Sequence, residues 1–351
     1  MFAALACVLT GSSANAQNND LLTAAGRGDL PAVNALLNAG ASVNDAKDTR
    51  LGSITALMEA SSNGHLEVVQ ALLAAKANVN AKRGPAVQRD CDTALALASR
   101  SGHLNVVQTL LAAKADVDAG SVSALYCATA SGNLDIVRAL VAEKPDLDWQ
   151  DPSLGTTTLM LALAPNEAVL RNQLPRTGRW DIAQLLVEAG ASVNVMDKGG
   201  VTALKLVVQE NGPRALVVVQ ALLAAHADVN GGCVCRTTAL LPLGSARHMS
   251  AQGHTALGLA VSLGSAEVVQ ALLDANAQRA ANPAIAVDAK QLGGNTPLTL
   301  ASARGRSDVV RLLLAAKADV SAADDNGKTA LMLAVENGHL EVADLLRRAG
   351  L

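Results

Sequence analysis

"TALMEASSNGHLEVVQALLAAKANVN" runs from Thr55 to Asn80, and "TALALASRSGHLNVVQTLLAAKADVD" from Thr93 to Asp118. The two stretches agree at most positions, so the building block of this chain is a repeat. Its physics can be read residue by residue. Thr55 is a helix N-cap, whose side-chain oxygen accepts from an otherwise unpaired backbone N–H. Leu57 and Ala60 follow about one turn apart and share a face. Gly64 ends this first short helix, because glycine accepts a left-handed backbone. "HLEVVQALLAA" is a second helix with apolar residues at helical spacing, and "KANVN" turns the chain into the loop before the next copy.

The same pattern returns at Thr296 and Thr329, and with losses at Ser123, Thr157, Thr202 and Thr255. A degenerate first copy begins at Asn19. Nine copies, starting near residues 19, 55, 93, 123, 157, 202, 255, 296 and 329, therefore fill a domain spanning 17–351. A helix pair this short cannot bury its apolar face alone, so the copies are stable only when stacked. Composition agrees. Half of the 351 residues are hydrophobic, yet Phe2, Tyr126, Trp149 and Trp180 are the only aromatics. Ala, Leu and Val pack thin layers closely, where a globular enzyme core would fill volume with aromatic rings. The net charge of −3 gives no reason to expect nucleic acid or an anionic membrane as partner. No apolar run reaches the roughly 18 residues of a membrane span.

These copies resemble the ankyrin repeat. The family's T-P-L-H-x-A motif stands here as Thr296-Pro297-Leu298-Thr299-Leu300-Ala301, and elsewhere mostly as T-A-L-x-L-A. The resemblance implies an all-α ankyrin-repeat solenoid of helix-turn-helix copies with finger loops between them. Two departures stand out. The motif's fourth position is never His; it holds Met58, Ala96, Tyr126, Met160, Lys205, Gly258, Thr299 and Met332. In the family that His ties adjacent loops, so a looser array is expected there. In addition, Lys76, Lys114, His226 and Lys317 replace the turn glycine kept at Gly40, Gly190 and Gly350. Each left-handed non-glycine residue costs about 1 kcal/mol.

Function in a repeat array concentrates where the period breaks. Insertions fall at 165–177, 231–252 and 280–293. The first carries Arg171 and Arg176, with Arg179 just beyond it. Loop length is thermodynamically cheap, so each insertion is read either as a tolerated surface loop or as a partner contact. Trp180 aligns with Leu66 and Leu104 and is expected in the core. Trp149 lies in a finger loop, where the repeat gives it no packing role. Tyr126 takes the missing-His position, on the concave side in the family. Trp and Tyr are favoured at binding hot spots, so Tyr126 and Trp149 are candidate partner contacts alongside Arg171 and Arg176.

No nucleophile elbow, phosphate-binding loop or H-E-x-x-H is present, so no catalytic residue is assigned. His65, His103 and His339 share one repeat position, "GHL", and are structural. Asp92, Asp151, Asp197 and Asp325 are expected to cap turns. Cys233-x-Cys235 with His248 and His254 has nearly the ligand spacing of a small zinc module. However, zinc modules place two to four residues between the cysteines, and His254 is an ordinary variable position before the cap Thr255. No metal or other cofactor is assigned. Cys127 takes a position that is leucine in other copies, so it reads as a small buried hydrophobe. Cys91 is too far from Cys233 and Cys235 to pair with them. That leaves Cys233 and Cys235 as the expected local redox pair.

"MFAALACVLTGSSANA" (1–16) reads as a signal peptide without its basic n-region, ending in an A-x-A cleavage pattern. The expectation is a non-enzymatic scaffold, periplasmic or secreted from a bacterial cell. As a monomer it would bind another protein through finger loops and concave helix faces. Two alternatives stay open. One is a metal- or thiol-responsive module built on the Cys233/Cys235 loop. The other is a cytoplasmic or host-delivered ankyrin protein with a misread start.

Overall fold

The computed structural model describes residues 20–49, 52–84, 91–163, 179–210, 212–231, 255–277 and 286–350. The chain divides into two compact units, Met1–Trp149 with Leu174–Ile182, and Gln150–Gln173 with Ala183–Leu351. In the first unit each copy contributes two antiparallel helices. These are 20–27 and Leu30–Asn38 (α1, α2), Ala56–Asn63 and Leu66–Ala74 (α3, α4), Ala94–Ser101 and Leu104–Ala112 (α5, α6), and Ala124–Ser131 and Leu134–Ala142 (α7, α8). Copy five holds Thr158–Leu163 (α9) and Arg179–Glu188 (α10). The second unit continues with Ala203–Val208 and Pro213–Ala224 (α11, α12), and Ala256–Leu263 and Ala266–Ala277 (α13, α14). It ends with Pro297–Ala303 and Ser307–Ala315 (α15, α16), and Ala330–Glu336 and Leu340–Ala349 (α17, α18).

The caps form as the sequence predicts. Thr55, Thr93, Ser123, Thr157, Thr202, Thr255, Thr296 and Thr329 each accept, through the side-chain oxygen, from the backbone N–H three residues on, at 3.1–3.4 Å. Gly64, Gly102, Gly132 and Gly264 end their helices with φ of 80°, 85°, 77° and 77°. Ala60, Ala98, Ala128, Ala260, Ala301 and Ala334 are fully buried. A methyl group at this position allows the close helix approach that a chain poor in aromatics requires.

Each "GHL" histidine interlocks with the copy before it. His65 Nε2 bonds the Gly26 carbonyl at 3.0 Å, His103 that of Ser62 at 3.1 Å, and His339 that of Ala303 at 3.2 Å. The ring lies on the preceding copy's glycine. A Cβ at Gly28, Gly64 or Gly305 would come within 2.6, 2.5 or 2.5 Å of it. That glycine is needed both for its positive φ and for the space the imidazole fills.

A second set of ties runs through the loops after the second helices. In the first unit Asn44 accepts from the Asn78 backbone N–H at 2.6 Å, Asn80 from Asp116 at 2.9 Å and Asp118 from Asp146 at 3.0 Å. In the second, Asn194 accepts from Asp228 at 2.6 Å, Asn230 from Ala286 at 2.9 Å and Asp288 from Asp319 at 2.9 Å. The ladder and the imidazoles thus tie neighbouring copies although no copy has the motif histidine. Ala286 and Asp288 hold regular ladder positions. Residues 286–293 are therefore the ordinary finger of copy eight, and what is extra in 280–293 lies ahead of them.

Five of the described fingers close as short hairpins. Ala46–Thr49 (β1) pairs antiparallel with Gly52–Thr55 (β2), and single bridges join Lys82 to Thr93, Gln150 to Thr157, Met196 to Thr202 and Ala323 to Thr329. Lys76, Lys114, His226 and Lys317 take the left-handed turn, with φ of 67°, 64°, 65° and 63°, and Lys144 joins them at 56°. Gly40 and Gly190 are left-handed at 92° and 93°, but Gly350 is not, with φ −91°. Its copy simply ends in right-handed helical geometry. Asp151 and Asp197 cap their turns, accepting from Ser153 and from Gly199 and Val201. In copy nine that role belongs to Asp324, which accepts from Asn326 and Lys328. Asp325 instead donates its backbone N–H to the Gly293 carbonyl of the neighbouring finger.

Candidate partner-binding edge

The finger entering copy four is the shortest in the array. Only 30 residues separate Thr93 from Ser123, against 38 between Thr55 and Thr93. Among the described residues it has no hairpin bridge. Two other interactions hold it. Asp92, in the preceding finger, is 1% exposed, and its carboxylate accepts from the Ser121 backbone N–H at 2.9 Å and from the Ser121 hydroxyl at 2.7 Å. Gly120, at φ 115°, leaves the space for this, since a Cβ there would come within 2.5 Å of Asp92 Oδ1. Asp92 therefore bridges two fingers and does not simply cap its own turn.

The second interaction is covalent. Cys91 and Cys127 form a disulfide, with Cα atoms 6.4 Å apart. This overturns the reading of Cys127 as a lone buried hydrophobe, and of Cys233 with Cys235 as the only local pair. The finger of copy three reaches the first helix of copy four, so these two cysteines are neighbours across one copy boundary. The sequence held a signal for this. Two adjacent copies depart from the repeat at once, with Cys91 at a position that is Gly155, Gly200, Gly294 or Gly327 elsewhere, and Cys127 at a leucine position.

Tyr126, one residue before Cys127, packs edge-to-face on Trp149, with ring centroids 5.0 Å apart and planes at 64°. Trp149 thus has a packing partner that the repeat did not imply. Both rings are half-buried, so each keeps surface open to solvent. Edge-to-face pairs contribute about 0.5–1.5 kcal/mol beyond area burial, which favours this arrangement of the rings.

Arg171, Arg176, Cys233, Cys235, His248 and His254 lie outside the described residues. Trp180 is half-buried in the first turn of α10, as Leu66 and Leu104 are in α4 and α6. It shares their setting and is not core, because the first residue of the second helix faces partly outward. Arg179 beside it is 5% exposed, and among the described residues its guanidinium nitrogens have no hydrogen-bond partner. Burial lowers its pKa from the ordinary value. Burial also raises that of Asp118, opposed by the hydrogen bond from Asp146. Among the described residues no group of three His, Cys, Asp or Glu is placed to hold a metal, and no helix is long and apolar enough to cross a membrane.

Capped helix pairs, the glycine–histidine interlock and the loop ladder define a helical repeat protein. The family model for ankyrin repeats (three copies) matches residues 21–121, 176–281, 234–324 and 280–350, and the chain belongs to that family. Ankyrin repeats are generally protein–protein interaction modules, and the family is typically non-enzymatic. No curated protein matches the chain.

Proposed function

We propose that this protein is a non-enzymatic scaffold that captures a partner protein at the finger edge of copy four, through Tyr126 on its first helix and Trp149 in the finger that follows its second. The edge-to-face pair carries the reading. It is the only aromatic cluster among the described residues, each ring packs on the other, and it stays half-exposed. Rigid aromatic surface gives contact area at little entropic cost. The Cys91–Cys127 disulfide supports an exported protein, because disulfides persist in oxidising compartments. The leader at 1–16 supports the same assignment.

A photo-crosslinker at position 149, with a second one at Val217 as an exposed control on α12, tests the binding edge in the native envelope fraction. A discrete adduct at 149 and none at 217 is expected. Equal adducts at both positions, or none at 149, would refute this edge. Intact mass beginning at Gln17 is expected for an exported chain, and retention of Met1 would count against export.

A further inference from the structure

Beyond a binding edge, we infer a device that controls it, resting on the reading above: the Cys91–Cys127 disulfide locks the Tyr126–Trp149 pair, so partner capture depends on the oxidation state of these two cysteines. Three observations converge. First, this copy boundary keeps its ladder rung, Asp118 to Asp146, but like those at Ser265 and Arg306 it has no interlocking histidine. Asn133 replaces the interlocking histidine: it lies over Gly102 of copy three, but its hydrogen bonding to that copy runs through a relay, Asn133 Nδ2 to Ser131 Oγ and Ser131 Oγ to the Ser99 carbonyl, each 3.2 Å. The finger has no hairpin bridge among the described residues. Second, the disulfide stands where those ties are missing, joining finger to helix across the boundary with Asp92–Ser121 beside it. Third, Cys127 adjoins Tyr126 on α7, so whatever fixes Cys127 fixes the ring that seats Trp149.

The sulfurs are enclosed, with Cys91 5% and Cys127 1% exposed. An external dithiol must therefore wait for the finger to open. Its thiolate then bonds to one sulfur and releases the other, which takes up a proton. The dithiol's second thiolate displaces the remaining cysteine, which is also protonated. Two electrons pass from the dithiol, which ends as a disulfide, and Cys91 and Cys127 end as thiols. The lock is thus set during folding and released slowly.

The test uses the full chain with Cys7, Cys233 and Cys235 changed to Ser and Trp180→Phe, leaving Trp149 as the only tryptophan. Peptide mapping without reductant should join Cys91 to Cys127. Dithiothreitol should then speed amide exchange over residues 119–131 about tenfold or more and shift Trp149 emission, while α15 and α16 keep their protection; in a parallel chain carrying an aromatic photo-crosslinker in place of Trp149, it should cut the crosslink yield severalfold. Cys91→Ser with Cys127→Leu, which restores the repeat's own leucine, should behave as the reduced protein without any dithiol. Free thiols at 91 and 127 under oxidising conditions would overturn the lock. So would unchanged exchange and emission on reduction, or a loss of protection that spreads to α15 and α16. If the lock behaves as described but oxidised protein gives no adduct at 149, the partner reading fails and the lock stands.

Discussion

The boundary between copies two and three and the boundary between copies three and four solve one problem in two ways. At the first, His103 bonds the Ser62 carbonyl over Gly64, and the finger closes with a bridge from Lys82 to Thr93. At the second, Asn133 stands where the histidine would be, and a disulfide with a buried carboxylate does the holding. The periodic solution can be repeated anywhere in the array, because each tie is small and identical. The local solution adds to the shared ladder rung one covalent link and one carboxylate, and the covalent part can be broken by a single event.

The largest difference should appear when the covalent link is removed. Cys91 and Cys127 are 36 residues apart, and closing a loop of that size stabilises by about 2–4 kcal/mol in the chain-entropy model. Cys91→Ser with Cys127→Leu should lose that amount in chemical denaturation, observed through exchange in α7. The loss should vanish when wild type and variant are compared in dithiothreitol. An equal difference under reducing conditions would place the cost in side-chain packing and erase the contrast between the two boundaries.

Asp92→Ala comes next. It leaves the Ser121 backbone N–H at the edge of a buried site without its acceptor, which costs about 1–3 kcal/mol. Asp92→Asn keeps one acceptor oxygen and should cost less. Exchange at Ser121 is the direct readout, and identical protection in both variants would mean that the carboxylate does not hold the finger.

The periodic boundary should yield smaller, coupled effects. His103→Ala loses one hydrogen bond and some ring packing, about 1 kcal/mol. Gly64→Ala adds a side chain at φ 80° and in the space of the His103 ring, costing about 1–2 kcal/mol. The double variant should cost less than the sum, because removing the ring frees the space. Strict additivity in a double-mutant cycle would show that the ring and the glycine do not share that space.

How far each boundary could be read in advance follows from the same contrast. Caps, left-handed glycines and left-handed lysines depend on residues a few positions apart, so Thr93, Gly102 and Lys114 announced their geometry directly. The glycine–histidine interlock was half legible. Recurrence marked His65, His103 and His339 as structural, but their partners lie 36 to 41 residues away and depend on the stacking offset. The disulfide was missed because each cysteine was read within its own copy. Placing a finger of one copy over the helix of the next takes three-dimensional register. Tyr126 and Trp149 stand out by their rarity and by their positions, the missing-His site and a finger loop, but their contact with each other has no sequence signature.

The finest contrast lies in the loop ladder, where Asn80 ties copies two and three and Asp118 ties copies three and four. Both side chains accept a backbone N–H, but only Asp118 must also carry a charge, beside Asp116 and Asp146. Burial first, and these neighbours after it, raise its folded pKa above the ordinary value, so its ionised form is less favoured in the folded than in the unfolded protein. The sign follows from linkage. No penalty exists while both states are protonated, below the unfolded pKa near 4, and it grows as pH rises through the folded pKa. Asp118→Asn, the residue used at Asn44, Asn80, Asn194 and Asn230, keeps the acceptor and discards the charge. It should stabilise the protein near neutral pH by only a few tenths of a kcal/mol, because the side chain is exposed and its charge screened. Denaturation at pH 7 and pH 3 checks this. A gain at pH 7 that disappears at pH 3 makes charge the only difference between the two rungs, and a gain that persists at pH 3 would show that they differ in shape as well.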